Sequence, residues 1–302
     1  QLEKGIADRN MHLFTPSKSY RTGGYRAKNP KRAGMNPPNG VPVYFYLNEK
    51  PKDSTEVRLT FYGSDGQEVR SFSTAAEEKE NKLMVEKGGN QFVWNTRYEN
   101  AKKFDGMVLW WGSLNGPKAK PGKYKVALQY GDMRQMAEFE ILQDPRSPAT
   151  TDDFEAQFDF IQSINAKVSE AHQAIIDIRD IRIQLNNFTE RLPKEDEYQT
   201  IRDQAAAIDS TMTEVETALY QTKNQSRQDP LNFPIRLTNK LAHLNSLSFG
   251  DYPPTDAAIA VKKELSSAID TELKKMEVLK ATALPAFNKL VREMAVDAVI
   301  LE

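Results

Sequence analysis

Hydrophobic and polar residues alternate with a period of two between Val41 and Leu142, and from position 150 onward the apolar residues recur every three or four places. The runs VPVYFYL (41–47), EVRLTFYG (56–63) and EVRSFS (68–73) are rich in β-branched and aromatic residues and predict strands. Between the second and third, GSDG (63–66) supplies residues that tolerate left-handed backbone, as a tight hairpin turn requires. NQFVW (90–94), KYKVALQYG (123–131) and AEFEIL (137–142) predict three more strands. In KYKVALQY the alternation sets Tyr124, Val126, Leu128 and Tyr130 on one face and Lys123, Lys125 and Gln129 on the other, the signature of a half-buried sheet. The stretch 74–88, with Glu77, Glu78, Lys79, Glu80 and Lys82, reads as a charged crossing loop or a short edge strand. Short strands with turn signals and no helical period between them predict an antiparallel β-sandwich over residues 41–145.

The second half reads differently. Phe154, Phe158, Ile161, Ile164, Val168, Ala171, Ile175, Ile178, Ile181, Leu185, Phe188 and Leu192 form one seam on a long helix that Pro193 ends. Thr150 and Asp153 resemble a capping box at its start. Ile201, Ala205, Ile208, Met212, Val215 and Leu219 mark a second helix. Asp229 before Pro230 looks like the start of a third, with Pro234 able to delay the regular turns to Ile235 and Leu237, Leu241 and Leu244 as its seam. A fourth opens at Thr255 and is kinked or broken at Pro285. The predicted fold class is multidomain, β then α, with the antiparallel sandwich followed by an antiparallel helical bundle of three to four helices over 150–302.

Residues 1–40 have no period. Prolines, glycines and basic residues (Lys18, Arg21, Arg26, Lys28, Lys31 and Arg32) read as an extended basic arm or linker, with Phe14, Tyr20 and Tyr25 suited to lying along another surface. The chain of 302 residues is long for one domain, and 39% hydrophobic with 27% charged residues excludes a collagenous or wholly disordered chain. Net charge is −1 overall, but residues 1–150 hold 24 Lys or Arg against 17 Asp or Glu (+7) and the rest 17 against 25 (−8). This balance argues against nucleic acid as a partner, and no apolar run reaches the ~20 residues of a transmembrane helix. The absence of cysteine removes disulfides, thiolate nucleophiles and zinc-thiolate sites, and leaves the compartment open. Starting at Gln1 without a signal-like segment, the chain reads as a piece of a longer polypeptide.

Candidate chemistry is sparse. His12, His172 and His243 are far apart and show no metal-ligand spacing, so they read as surface or helix-flank residues. Gly23-Gly24 and Gly88-Gly89 lack the context of a phosphate loop. Asp177, Asp180 and Glu190 alternate in sign with Arg179, Arg182 and Arg191, which fits a solvated or salt-bridged helix face. The main signal for binding is Trp94 with the pair Trp110-Trp111. On any strand the pair would point to opposite faces, one filling a core or domain interface and the other facing out, where an indole can stack on a sugar or a partner. The adjoining loop GSLNGPKAKPG (112–122) is either the wall of a shallow groove or a turn.

The runs GMNPPNGVPVYFYL (34–47), GGNQFVWNTRY (88–98), DGMVLWWG (105–112), PGKYKVALQYG (121–131) and QTKNQSRQDPLNFPIRLTNKLAHL (221–244), in that order, resemble the C-terminal region of bacterial exported proteins with sortilin-like or BNR-repeat β-propellers, often labelled glycosyl-hydrolase-like. Residues 41–143 also look like the immunoglobulin-like domain of flagellar hook-capping proteins. The resemblance implies an immunoglobulin-like sandwich, export to the periplasm, outer membrane or medium, and a propeller earlier in the same polypeptide, with HLFTPSKSYR (12–21) similar to the segment that leaves its last blade. The Asp-box repeat of propeller blades is absent, because Ser64-Asp65-Gly66 has the wrong spacing, so no catalytic residue carries over and no cofactor or metal is implied. The expected function is a non-catalytic accessory region that scaffolds the propeller and contacts a partner protein or the cell surface. The alternative is a region that holds carbohydrate for a BNR-type glycoside hydrolase. Trp110, Trp111 and Tyr98 are the candidate contacts: the sandwich tryptophans with the bundle face in the first case, and Trp110 or Trp111 with Tyr98 as stacking groups in the second.

Overall fold

A computed structural model describes residues 5–22, 38–52, 54–247 and 250–294. The chain divides into two compact units. The first takes the residues up to Glu99, Asn115–Asp159 and Gly250–Pro253, and the second takes Asn100–Leu114 and the chain from Phe160 onward apart from Gly250–Pro253.

The first unit holds eight strands: β1 (Met11–Leu13), β2 (Ser19–Arg21), β3 (Val41–Leu47), β4 (Val57–Tyr62), β5 (Glu68–Ser73), β6 (Gly88–Trp94), β7 (Gly122–Tyr130) and β8 (Met133–Gln143). They form a three-stranded sheet in the order β1-β3-β6 and a five-stranded sheet in the order β2-β8-β7-β4-β5. Alternation works as the pattern predicts in β3, where Val41, Val43, Phe45 and Leu47 are buried and Pro42, Tyr44 and Tyr46 between them are not. Each such buried side chain contributes about 1.5–3 kcal/mol. One core serves both sheets, and Phe61 of β4 stacks on the fully buried indole of Trp94, ring centroids 4.5 Å apart. The β4–β5 turn closes through Gly66, at φ +80°, whose N–H donates to the Gly63 carbonyl. In the 74–88 stretch Leu83 is buried in the same core.

The second unit is helical. Helix α1 (Thr151–Thr189) begins in the first unit and continues in the second, where α2 (Gln199–Leu219), α3 (Leu237–Leu247), α4 (Asp256–Ala281) and α5 (Ala283–Glu293) follow. The capping box at the head of α1 is reciprocal, the Thr150 N–H donating to Asp153 Oδ2 at 2.8 Å and the Asp153 N–H to Thr150 Oγ1 at 3.3 Å. All six predicted seam residues of α2 are buried. Asp229 does not cap α3: its carboxylate turns back to accept from the N–H groups of Gln225 and Ser226, and α3 starts only at Leu237. The break between α4 and α5 falls at Thr282, upstream of Pro285, because a proline ring clashes with the carbonyl four residues earlier.

This architecture overturns the expected antiparallel immunoglobulin-like sandwich followed by an antiparallel bundle. The five-stranded sheet is mixed, since β2 runs parallel to β8 with Ser19, Tyr20 and Arg21 opposite Ile141, Leu142 and Gln143. Its extra strand, and β1 of the other sheet, come from the region read as an arm. Three-residue strands are too short to reveal a period. Nor does the chain pass once from β to α, because Asn100–Leu114 belongs with the helices and Gly250–Pro253 with the sheets. The remaining basic arm residues, Arg26, Lys28, Lys31 and Arg32, with Tyr25 and the start of the GMNPPNG run, lie outside the described residues.

Candidate functional site

Asn100–Leu114 contains no helix or strand, so its backbone groups must find partners elsewhere. Polar side chains of the helices supply them. Ser169 Oγ accepts from the Lys102 N–H at 2.9 Å, and His172 Nδ1 donates to the Lys102 carbonyl at 2.5 Å. Tyr220 Oη accepts from the Val108 N–H at 2.8 Å. Asn239 makes a two-way contact with Trp110, its Oδ1 accepting from the Trp110 N–H at 2.9 Å and its Nδ2 donating to the Trp110 carbonyl at 2.7 Å. The next carbonyl, of Trp111, accepts from His243 Nδ1 at 2.8 Å and from Ser246 Oγ at 2.6 Å. The Ser113 N–H then donates to the Ala242 carbonyl at 3.0 Å, and Asn245 Nδ2 to the Ser113 carbonyl at 3.1 Å. Phe104 and Ala101 are the apolar anchors of the segment in the helical core.

The result is a rigid shelf along α3 that ends in an exposed indole. Trp111 is 71% exposed and has φ +56°, a left-handed backbone that costs a non-glycine residue about 1–2 kcal/mol. Two hydrogen bonds to its carbonyl hold that conformation. Trp110 is half-buried, its ring edge-on to that of Trp111 at 6.2 Å. The pair is therefore not split across a strand, as alternation predicts: it lies on irregular backbone and the two rings touch. A groove of about 560 Å³ adjoins the shelf, lined by Met107, Val108, Leu109, Gly112, Gln225, Ser226 and Arg227. Its wall includes the residue after Trp111, and Arg227 is exposed on it.

The other predicted residues have different surroundings. Tyr98 belongs to the first unit, where its ring meets Phe158 edge-on at 4.7 Å and burial raises its pKa above the ordinary tyrosine value. Trp94 fills the core of that unit, its Nε1 donating to the Arg97 carbonyl at 3.1 Å. His172 and His243 are structural donors rather than free flank residues, and His172 is fully buried. Sequence reasoning missed Asn239, His243 and Ser246 as the groups that fix the tryptophans. Their only signal in the sequence is the spacing of polar residues along α3 beside its apolar seam of Leu237, Leu241 and Leu244. The alternating charges of α1 pair across helices: Arg179 and Arg182 both bond Glu216, at 2.8 and 2.7 Å. Among the described residues no cluster of His, Asp and Glu could hold a metal ion, and no helix is long and apolar enough to cross a membrane. No family model matches the chain, and no curated protein matches it.

Proposed function

We propose that this chain is a non-catalytic accessory region of a larger exported β-propeller protein, scaffolding the propeller and contacting a partner protein or the cell surface through the Trp111 shelf. One observation carries the contact: a large aromatic side chain left in solvent on a backbone that is both strained and pinned. Strain of this kind persists where surrounding structure over-determines it, and tryptophan is among the residues enriched in interface hot spots. The propeller, the export and the accessory role rest on the resemblance of the five sequence runs.

A second reading, a carbohydrate-holding region, is favoured by the groove beside the shelf, where Gln225, Ser226 and Arg227 offer amide, hydroxyl and guanidinium groups to sugar hydroxyls. Photo-crosslinking from position 111 in the full-length protein, with exposed Tyr44 as the control position, separates the two. The partner reading expects a discrete polypeptide adduct at 111 and none at 44. Retention on a glycan array that Trp111→Ala abolishes, with no polypeptide adduct, establishes the second reading instead. If there is no adduct and no retention, the contact is refuted.

A further inference from the structure

Three cations of the first unit, Arg21, Arg97 and Lys118, are drawn together by hydrogen bonds that use no carboxylate except one. Arg97 and Lys118 face each other across an isolated antiparallel bridge. Lys118 Nζ donates to the Thr22 carbonyl at 3.4 Å, next to Arg21, and Arg21 Nε donates to the Ala119 carbonyl at 3.2 Å, next to Lys118. Arg97 Nη1 donates to the Gly116 carbonyl at 2.7 Å. Arg21 is neutralised by Asp251. Among the described residues Arg97 and Lys118 have carbonyl partners only, and both are half-buried. Burial first, and then the charges of Arg21 and Arg97, push Lys118 below the ordinary lysine value, and burial does the same to Arg97. The stretch Arg9 to Asn48 around Arg21 and Thr22 includes seven Lys or Arg and no Asp or Glu, and Glu99, two residues after Arg97, pairs with Arg70.

Two positive charges are therefore held close together, partly out of water, with donors to spare: two on the ammonium, and the Nε and Nη2 side of the guanidinium. A fork plus a point charge matches a tetrahedral dianion, and two charges balance two. We propose that Arg97 and Lys118 bind a phosphate-type oxyanion, either free or as the headgroup of a lipid. This site is independent of the Trp111 shelf and of the function proposed for it.

The test is calorimetric titration and thermal unfolding of the whole chain with inorganic phosphate, against sodium chloride at matched ionic strength. Phosphate should bind and raise Tm where chloride does not. Lys118→Met should raise Tm in phosphate-free buffer, by relieving repulsion, while abolishing the phosphate response. Arg97→Lys, which keeps the charge and loses the fork, should weaken binding about tenfold or more. Equal effects of phosphate and chloride, or an undiminished phosphate response in Lys118→Met, would overturn the proposal. Co-sedimentation with phosphatidic acid vesicles but not phosphatidylcholine vesicles, lost in Lys118→Met, supports it with the headgroup as source. A phosphate response without sedimentation supports it with soluble phosphate as source.

Discussion

Asp251 closes on the guanidinium of Arg21, 230 positions away in sequence, in an ion pair whose arginine side chain is only 4% exposed. The same guanidinium donates to Gln157 Oε1 at 3.0 Å and lies 4.9 Å over the ring of Phe154. Gln157 in turn donates to the carbonyls of Gly250 and Tyr252, at 3.1 and 2.9 Å. Strand β2, the first turns of α1 and the 250–253 segment thus share one buried hub. Burial lowers Arg21 to about 10, which leaves it charged at neutral pH.

Removing one partner of such a pair strands a buried charge, which costs about 3–5 kcal/mol. Asp251→Ala should therefore lower the stability of the first unit by about 3 kcal/mol in urea titration. The double variant Arg21→Met/Asp251→Leu should recover much of that loss. A single variant that unfolds at the wild-type urea midpoint would show that the hub contributes nothing.

His172 predicts a pH dependence. It is fully buried, its Nδ1 donates to the Lys102 carbonyl and its ring meets Phe104 edge-on at 5.0 Å, while Nε2 is buried without a partner. The Lys102 side chain is itself engaged, its ammonium donating to Oε1 of Gln173, the next residue of α1. Desolvation lowers His172 from the ordinary 6.5, more than the Lys102 carbonyl raises it. Below 6.5 the unfolded chain binds the proton first. Stability is then complete above that value and is lost as pH falls through the lower folded one. His172→Gln keeps a donor for the Lys102 carbonyl and should flatten the fall in Tm between pH 7 and 5. An unchanged slope would assign the acid sensitivity to other groups.

The features legible in the sequence are those set by neighbours in the chain. Val41 to Leu47 alternates over seven residues, and Ile201 to Leu219 repeats over five helical turns, so each reports its own buried face. Met11–Leu13 and Ser19–Arg21 offer too few residues to show alternation, and their strand character comes from pairing with Leu47–Phe45 and Ile141–Gln143. Parallel pairing of β2 with β8 has no local signature at all. The shelf is less legible still. Trp110 and Trp111 are visible as a pair, but Asn239 and His243, which decide their conformation, lie 129 and 132 positions downstream.

Glu216 should be the most sensitive charge of the helical unit. It is 4% exposed and accepts from Arg179 Nε at 2.8 Å and Arg182 Nη1 at 2.7 Å, with Arg179 also 4.7 Å over the ring of Phe104. Glu216→Ala leaves two guanidinium groups facing a gap and should cost about 3 kcal/mol. Because the carboxylate is buried, 0.5 M salt should recover little of the loss. Wild-type stability for this variant would mean that Asp209 suffices for Arg182 and the Asp105 carbonyl for Arg179.

Trp111 offers the sharpest separation of stability from binding. In a left-handed conformation the side chain works against the backbone, and at 71% exposure it returns little burial energy. Glycine adopts φ +56° without penalty and keeps the carbonyl that His243 and Ser246 bond. Trp111→Gly should therefore leave stability unchanged or raise it by up to about 1 kcal/mol, while abolishing whichever contact the indole makes. Asn239→Ala should do the reverse. It should cost about 1–2 kcal/mol through two unmet backbone groups at Trp110, and weaken binding only in proportion to the loosened shelf. Tm of both variants, with partner or glycan retention for Trp111→Gly and the crosslink yield from position 111 for Asn239→Ala, checks both. If Trp111→Gly proves as destabilising as a core truncation, the ring is packed rather than presented, and it cannot be the residue that meets a partner.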